Sequence, residues 1–598
     1  MELEEIIKKK HSGDDEQLNF IFSDKKNIIV TAPAGCGKTT ALVSKIAREL
    51  SVGHIPSNKK VLAMTFSVNG AMKIKDSLKT LMPNLVDNQS HYLSKVDIAN
   101  YHNFAMRILF KHGYCLNSEF INLANFQIVN ENNSVLNSYL ISSDRNKLNA
   151  VDEAVKASCK DDLIVLLNDY WEILNRKLIT NHIITYNGIL IAAIKLLCKK
   201  QVASFYQEYY KMIIIDEFQD TNFLGYLLIE KIIGNNISIF LGDDVQKIYG
   251  FMGAVNGIFK MVKETYQTIE FKFKNNYRFK TNDRMKKLDL LIRNYAENYK
   301  PSKLKATILL KRLNSDREED LFIVEGINKI ISNTNDKIAV LVRAGWQGDS
   351  IAKELDLQGI PYFNALYGET DIEFNKFYSI AIEEFHRNVP SKAIQRNLEK
   401  CLMAVKIREK EIYTNPSKKY IFDSMYKLLE ILFTESKKWD GTAKDRYENI
   451  DFTLGNNGLK HMMEFIEESI VLTTIHSAKG LEWEYVIIPK LNAHAFPPSR
   501  FVCKPCQSKE SCSSGFDYCK FQYKEAMEKS FKEEISIFYV AITRARKNVF
   551  MTVNTGVNQW NHNKRTNCLI NLEGIDEEDY EWDSVLSINP IGLEINDT

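Results

Sequence analysis

The sequence predicts an α/β protein organised around a parallel sheet, and three stretches carry that expectation. "NIIVTAPAGCGKTTALVSKIAREL", from Asn27, is a short apolar run, a glycine loop and an amphipathic segment. "YYKMIIIDEFQDTN", from Tyr209, is a longer apolar run ending in adjacent carboxylates. "ISIFLGDDVQKIYGFMGA", from Ile237, is a third run, ending in Gly242-Asp243-Asp244. Apolar runs that stop abruptly at polar residues read as strands buried on both faces, with ligands gathered at their carboxyl ends.

In the first stretch, Ile28-Ile29-Val30 is the strand, and Leu42, Val43, Ile46 and Leu50 form the apolar face of the helix. The loop between them, Ala34, Gly35, Cys36, Gly37, Lys38, Thr39 and Thr40, has the form of a P-loop, with Ala32 where the full pattern has glycine. Gly35 and Gly37 let backbone N–H groups turn toward a phosphate chain at a helix N-terminus, where the dipole already favours negative charge. Lys38 is placed to bridge the β- and γ-phosphates of a nucleotide, and the Thr39 hydroxyl to coordinate magnesium. In the second stretch, Asp216 at the strand end suits the same magnesium, and Glu217 suits polarising an attacking water. In the third, Gln246 has no charge to lose, which fits sensing a γ-phosphate rather than proton transfer. A fourth stretch, "KIAVLVRAGWQGDSIAKELDLQGIPYF" from Lys337, reads as strand, loop, helix, strand.

The chain is 598 residues long, 45% hydrophobic and 26% charged. That is too long for one core, and about four domains are expected. Lys plus Arg total 78 against 76 Asp plus Glu, so any nucleic-acid binding rests on local patches rather than net charge. The charged start "MELEEIIKKKHSGDDEQ" lacks a signal-peptide core, and the apolar run from Gly188 is far below the roughly 20 residues of a membrane span. Six cysteines (Cys36, Cys115, Cys159, Cys198, Cys401, Cys568) are scattered, as reduced thiols in a cytoplasmic protein would be.

With these stretches in hand, the chain resembles superfamily 1 helicases of the UvrD/Rep/PcrA kind. Matching motifs run in the family's order from Gln17 to Arg544: "DEQLNFIF", "AMTFSVNGAM", "IANYHNFAMRILF", "DEFQDTN", "GDDVQKIYGFMGA", "NNYRF", "TTIHSAKGLEWEYVIIP" and "EEISIFYVAITRARKNVFMT". The resemblance implies two RecA-like domains, each carrying a mainly helical insertion. The first core domain is expected at 1–110 and 203–268, with its insertion at 111–202. The second is expected at 269–366 and 467–598, with its insertion at 367–466. It also implies ATP and magnesium as cofactors and single-stranded or tailed DNA as substrate, with movement 3′ to 5′. Gln17 and Tyr277 would meet the adenine and Glu482 the ribose. Arg278 and Arg544 would reach the γ-phosphate as arginine fingers, from the side opposite Lys38, Thr39, Asp216, Glu217 and Gln246. Thr65, Phe66, Tyr101, His102, Tyr249, Phe251, Thr474 and His476 would meet DNA. Two departures weaken the expected grip on DNA: Phe251-Met252 stands where the family has Trp-Arg, and Ile535-Ser536 follows Glu533-Glu534 where it has an arginine pair. Cys36 replaces the usual P-loop serine.

Between "AHAFPPSR" and "KEEISIFYVAITRA", residues 502–525 form an insertion with Cys503, Cys506, Cys512 and Cys519. Four clustered thiols suit tetrahedral zinc or an iron–sulfur cluster of the 4Fe-4S type, pinning a loop. The leading expectation is an ATP-dependent DNA helicase or translocase serving repair or defence. The other is an ATP-gated DNA sensor that recruits a protein partner, such as a nuclease, without processive unwinding. A small-molecule P-loop kinase or GTPase would leave the later motifs unexplained.

Overall fold

Residues 3–65, 68–85, 89–131, 133–157, 160–248, 250, 253–298, 303–368, 371–390, 395–438, 442–455, 457–493, 495–497, 525–557, 564 and 566–586 are described by the computed structural model. The chain divides into two units, Met1–Arg278 and Phe279–Thr598.

In the first unit, the strands are β1 (Asn27–Thr31), β2 (Lys60–Thr65), β3 (Val96–Asn100), β4 (Gln127–Val129), β5 (Ile183–Thr185), β6 (Tyr210–Asp216), β7 (Ile237–Gly242) and β8 (Ile269–Lys272). Six of them form one sheet in the order β3-β2-β6-β7-β1-β8, with every pairing parallel. Alternate residues of β1 feed opposite layers: Ile28 and Val30 pack with Leu42, Val43 and Ile46 of the helix Lys38–Ser51, while Ile29 joins Met64, Ile215 and Phe240 on the other face. Because both faces are covered, β1, β6 and β7 are predominantly apolar in their interiors (Ile28–Val30, Met212–Ile215, Ile239–Leu241), as the sequence suggested.

The second face does not end at the sheet. Its core runs on through Leu148, Val151, Leu174 and Ile184, so the helices Ser142–Ala157, Lys160–Ile173 and Tyr186–Leu197 share one hydrophobic core with the sheet. The run from Gly188 becomes the last of these helices, and Thr185 caps it by accepting a bond from Gly188 N at 3.1 Å. At the sheet edge, Ile269 pairs with Ile28 and Lys272 with Thr31. The expected boundary at 268 is therefore too early, since β8 and the residues through Arg278 belong to the first unit.

In the second unit, β9 (Ala306–Leu313), β10 (Ile338–Val342), β11 (Phe363–Asn364), β12 (Ile470–Thr474), β13 (Trp483–Ile488), β14 (Ala545–Asn554) and β15 (Ile575–Glu578) form a parallel sheet ordered β11-β12-β10-β13-β14-β9-β15. The stretch from Lys337 folds as read: β10, the helix Asp349–Leu357, then β11. Between β11 and β12 stand the helices Ile372–Asn388, Gln395–Ile407, Lys419–Ser436 and Ala443–Gly455. Both units are thus α/β with parallel sheets, as two RecA-like domains require. No helix among the described residues is long and apolar enough to cross a membrane. The cysteine insertion, with Cys503, Cys506, Cys512 and Cys519, lies outside the described residues.

Candidate active site

Three neighbouring strands of the first sheet deliver the site. In register, Thr31 of β1 lies beside Gly242 of β7, and Asp216 of β6 beside Thr65 of β2. The carboxyl ends of these strands therefore lie along one sheet edge. The chain leaves β1 with Ala32 N donating to Gly242 O at 3.1 Å, and Gly35 (φ 78°) and Gly37 (φ 72°) then take the left-handed backbone that opens the loop. Gly37 caps the helix Lys38–Ser51, so Lys38, Thr39 and Thr40 form its first turn, whose N–H groups lack intrahelical acceptors.

Lys38 Nζ stands 4.0 Å from Glu217 Oε1. Burial pulls its pKa down, but the carboxylates of Glu217, Asp216 and Asp243 more than offset this and hold it above the ordinary lysine value. Glu217 itself adopts the left-handed region (φ 50°), a strained conformation for a residue with a Cβ. Its N–H donates to Asp216 Oδ1 at 3.0 Å. Gln219 then ties the second strand end to the third: its Nε2 donates to Glu217 Oε2 at 2.5 Å and its Oε1 accepts from Asp243 N at 3.0 Å. Gln246 Nε2 donates to Asp243 Oδ2 at 2.8 Å. Asp216, Glu217, Gln246 and Lys38 are thus one connected polar site. Its buried links, Gln219 and Asp243, are residues to which sequence reasoning gave no role. The only signal was their place within two polar strand ends.

The other wall of the loop comes from the end of the first unit. Asn276 Nδ2 donates to Ala34 O at 3.2 Å and Tyr277 N to Gly35 O at 2.9 Å. A Cβ on Gly35 would lie 2.7 Å from both Arg278 Cβ and Asn276 Oδ1, so glycine alone permits this approach. Arg278 was expected on the side opposite the P-loop. Its Cβ lies beside the loop, at the last residue of the first unit. Gln17 Nε2 donates to Cys36 O at 3.0 Å, which places Gln17 beside the loop. Tyr277, 46% exposed, donates its hydroxyl to Asp14 Oδ2 at 2.7 Å.

The expected DNA contacts divide. Tyr101 is 4% exposed, packed in the core, and its hydroxyl bonds Thr221 Oγ1 at 2.7 Å. Its ring is therefore unavailable for stacking, and the expectation is corrected: Tyr101 braces the segment after Glu217. Thr65 is fully buried at the end of β2. His102 is held neutral, its pKa lowered by burial to about 4. In the second unit, Thr474 ends β12, and its Oγ1 bonds Ser477 Oγ at 3.1 Å. Burial, with the cations Arg343 and Lys479, lowers the His476 pKa to about 3. Both imidazoles are therefore neutral near pH 7, hydrogen-bonding groups rather than cations. Phe66, Tyr249 and Phe251 lie outside the described residues.

Arg544 is 4% exposed, with its guanidinium donating to Val540 O at 3.0 Å, Leu481 O at 3.3 Å and Thr543 Oγ1 at 3.1 Å. The bond to Val540 O fastens it to the C-terminal end of the helix Glu525–Ile542, and the bond to Leu481 O to the chain just before β13. Glu482 is engaged by Arg546 Nε at 3.4 Å.

Residues 14–267 match the family model of the UvrD/REP helicase N-terminal domain, and residues 372–556 match that of the UvrD-like helicase C-terminal domain. Among curated relatives, a probable DNA helicase II homolog of Mycoplasma genitalium is 25% identical over 91% of this chain and 85% of its own length. DNA helicase II of Rickettsia typhi is 24% identical over 91% and 92%, and ATP-dependent DNA helicase PcrA of Bacillus subtilis is 24% identical over 88% and 80%. Two parallel α/β units, a P-loop whose lysine faces paired carboxylates, and family matches in both halves lead to one conclusion: the chain belongs to the UvrD-like family of DNA helicases.

Proposed function

We propose that this chain is an ATP-driven motor that moves 3′ to 5′ along single-stranded DNA and separates strands. The observation that carries the reading is the polar site joining Lys38, Asp216, Glu217, Asp243 and Gln246 across the ends of three strands. Lys38 would neutralise the β- and γ-phosphates, for which the helix N-terminus supplies further N–H donors. Thr39 and Asp216 are the residues suited to hold magnesium, which when bound supplies positive charge at the phosphate oxygens. Glu217, fixed by Gln219, would orient and polarise the attacking water, and Gln246, fixed by Asp243, would register the γ-phosphate. Arg278 lies beside the loop and would add charge there. Arg544 would act as a finger after exchanging its bonds to Val540, Leu481 and Thr543 for phosphate oxygens; such a finger is worth about 10³–10⁵ in rate. Thr474 and His476, with Phe66, Tyr249 and Phe251, would contact the strand, and aromatic stacking contributes about 1–3 kcal/mol per base; Thr65, fully buried, would support the end of β2 behind that surface.

Cys503, Cys506, Cys512 and Cys519 are proposed to bind zinc or a 4Fe-4S cluster, on the chemistry of four soft donors in a short insertion. Metal analysis of the purified chain separates the two, since a cluster alone absorbs visible light. The function itself is tested by nucleotide hydrolysis with and without single-stranded DNA. DNA-stimulated hydrolysis of ATP that is lost in Lys38→Ala supports the reading, while hydrolysis indifferent to Lys38 or to DNA overturns it.

A further inference from the structure

Beside the P-loop, a backbone carbonyl and a buried histidine together fix which way a glutamine amide points. Gln17 Nε2 donates to Cys36 O at 3.0 Å, and Gln17 Oε1 meets His11 Nδ1 at 2.6 Å. A backbone carbonyl only accepts, so the amide nitrogen must be the atom facing Cys36, and the oxygen must be the atom facing His11. His11 Nδ1 therefore carries the proton. Its other nitrogen, 2.9 Å from Ser44 Oγ, is left to accept from that hydroxyl. His11 is 3% exposed, Gln17 2% and Ser44 0%, so turning the amide over would break both bonds where no water replaces them. Burial also lowers the His11 pKa, the bond to Gln17 opposing it, which is consistent with this neutral tautomer.

A second set of contacts fixes where the amide stands. Asp14, 2% exposed, accepts from Gln17 N at 3.0 Å through one oxygen and from the Tyr277 hydroxyl at 2.7 Å through the other. A Cβ on Gly37 would be 2.8 Å from Gln17 Nε2 and 3.5 Å from the Tyr277 ring, so the amide and the aromatic ring converge on the same glycine at the helix N-terminus. An edge-reading amide and a stacking face are thus held in mutual register by one carboxylate.

We propose that His11 sharpens this nucleotide site's choice of adenine over guanine, by pinning the oxygen of a Gln17 amide whose nitrogen the Cys36 carbonyl already holds. The inference rests on the reading of Gln17 and Tyr277 as the nucleobase contacts. Adenine shows an amino donor at N6 beside the N7 acceptor, whereas guanine shows acceptors at both O6 and N7. An amide locked with Oε1 and Nε2 in fixed places matches the first pattern at both atoms. Against guanine it sets oxygen against oxygen at one of them. Released from His11, the amide keeps only its bond to the Cys36 carbonyl, about which its oxygen can swing away; that relieves guanine and weakens the preorganisation that adenine enjoys. His11 is a positioning residue here, acting through Gln17.

The test is the ratio of kcat/KM for ATP to that for GTP, measured on the full chain with single-stranded DNA. Leucine fills the histidine's space without a donor, and asparagine places an N–H close to where Nδ1 stands. The expected result is a clear ATP preference in the natural chain, a fall of about 10-fold or more in His11→Leu, and near-complete retention in His11→Asn. Ser44→Ala, which keeps the ring but removes the partner of its far nitrogen, is expected to fall between them and serves if His11→Leu does not fold. Gln17→Ala separates the two layers of the argument. If it abolishes the preference while His11→Leu and Ser44→Ala keep it, the role assigned to His11 is overturned and that of Gln17 stands. If Gln17→Ala leaves the preference intact, Gln17 is not the base reader and both fall together.

Discussion

Gly242→Ala probes the wiring of the site most sharply. A Cβ at 242 would stand 2.1 Å from Gln219 Oε1 and 2.9 Å from Phe259 Cζ. Gln219 is fully buried, so its amide has no solvent to retreat into. Withdrawal breaks the bond to Asp243 N and the charge-assisted bond to Glu217 Oε2. A buried neutral hydrogen bond is worth about 0.5–1.5 kcal/mol and one to a charged group about 1.5–3 kcal/mol, so the substitution is expected to cost about 2–4 kcal/mol of local stability. Hydrogen exchange at the amides of β6 and β7 reads that loss directly. Catalysis should suffer separately: Glu217 loses the partner that orients it, and a misplacement of about 1 Å can cost about 100-fold in kcat. The control is the same substitution in a Gln219→Ala background, where the principal clash is gone. There it should cost at least about 1 kcal/mol less than in the natural chain. Equal costs in the two backgrounds would refute the argument, because the damage would then come from Phe259 or the strand itself.

Three further outcomes are expected. Arg544→Lys keeps the charge but not the fork, and should lower kcat for ATP by about 10³ while ATP binding, measured by titration, persists. Glu534→Ala strips the partner from Arg343, which it holds at 2.9 and 2.5 Å in a site where the two side chains are only 3% and 12% exposed, and should destabilise the chain by about 3–5 kcal/mol in thermal melts. Replacing both by apolar residues should recover most of that. His386 bonds Asp451 at 2.5 Å, which raises the histidine pKa. Its contribution is therefore full below the unfolded value of about 6.5 and fades as pH rises through the higher folded value. Helices Ile372–Asn388 and Ala443–Gly455 should resist protease better at pH 6 than at pH 8, and His386→Ala should erase that difference.

The strands that carry chemistry were legible because their signal is local: Ile28 to Val30, Met212 to Ile215 and Ile237 to Leu241 are apolar runs that stop at polar residues. β8 was not. Ile269–Lys272 is four residues at a sheet edge, none of them buried, so composition barely marks it as strand, and the boundary was drawn before it. The charged members of the active site were legible as residue types at strand ends. Their connections were not, because Gln219 reaches Asp243 and His11 reaches Ser44 only once the chain has closed on itself. Tyr101 shows the converse failure. An aromatic residue after a strand reads equally well as platform or as core, and only packing against Thr221 decides. Arg544 was placed by its motif, and its bonds to Val540 and Thr543 are local, but the bond to Leu481 O could not be inferred from sequence, because it depends on where Leu481 returns.

Strand displacement by the purified chain, on duplexes with a 3′ or a 5′ tail and with Glu217→Gln as control, tests the central claim most directly. The account predicts ATP-dependent displacement from the 3′ tail that is absent in the control. DNA-stimulated ATP hydrolysis with no displacement from either tail would contradict it.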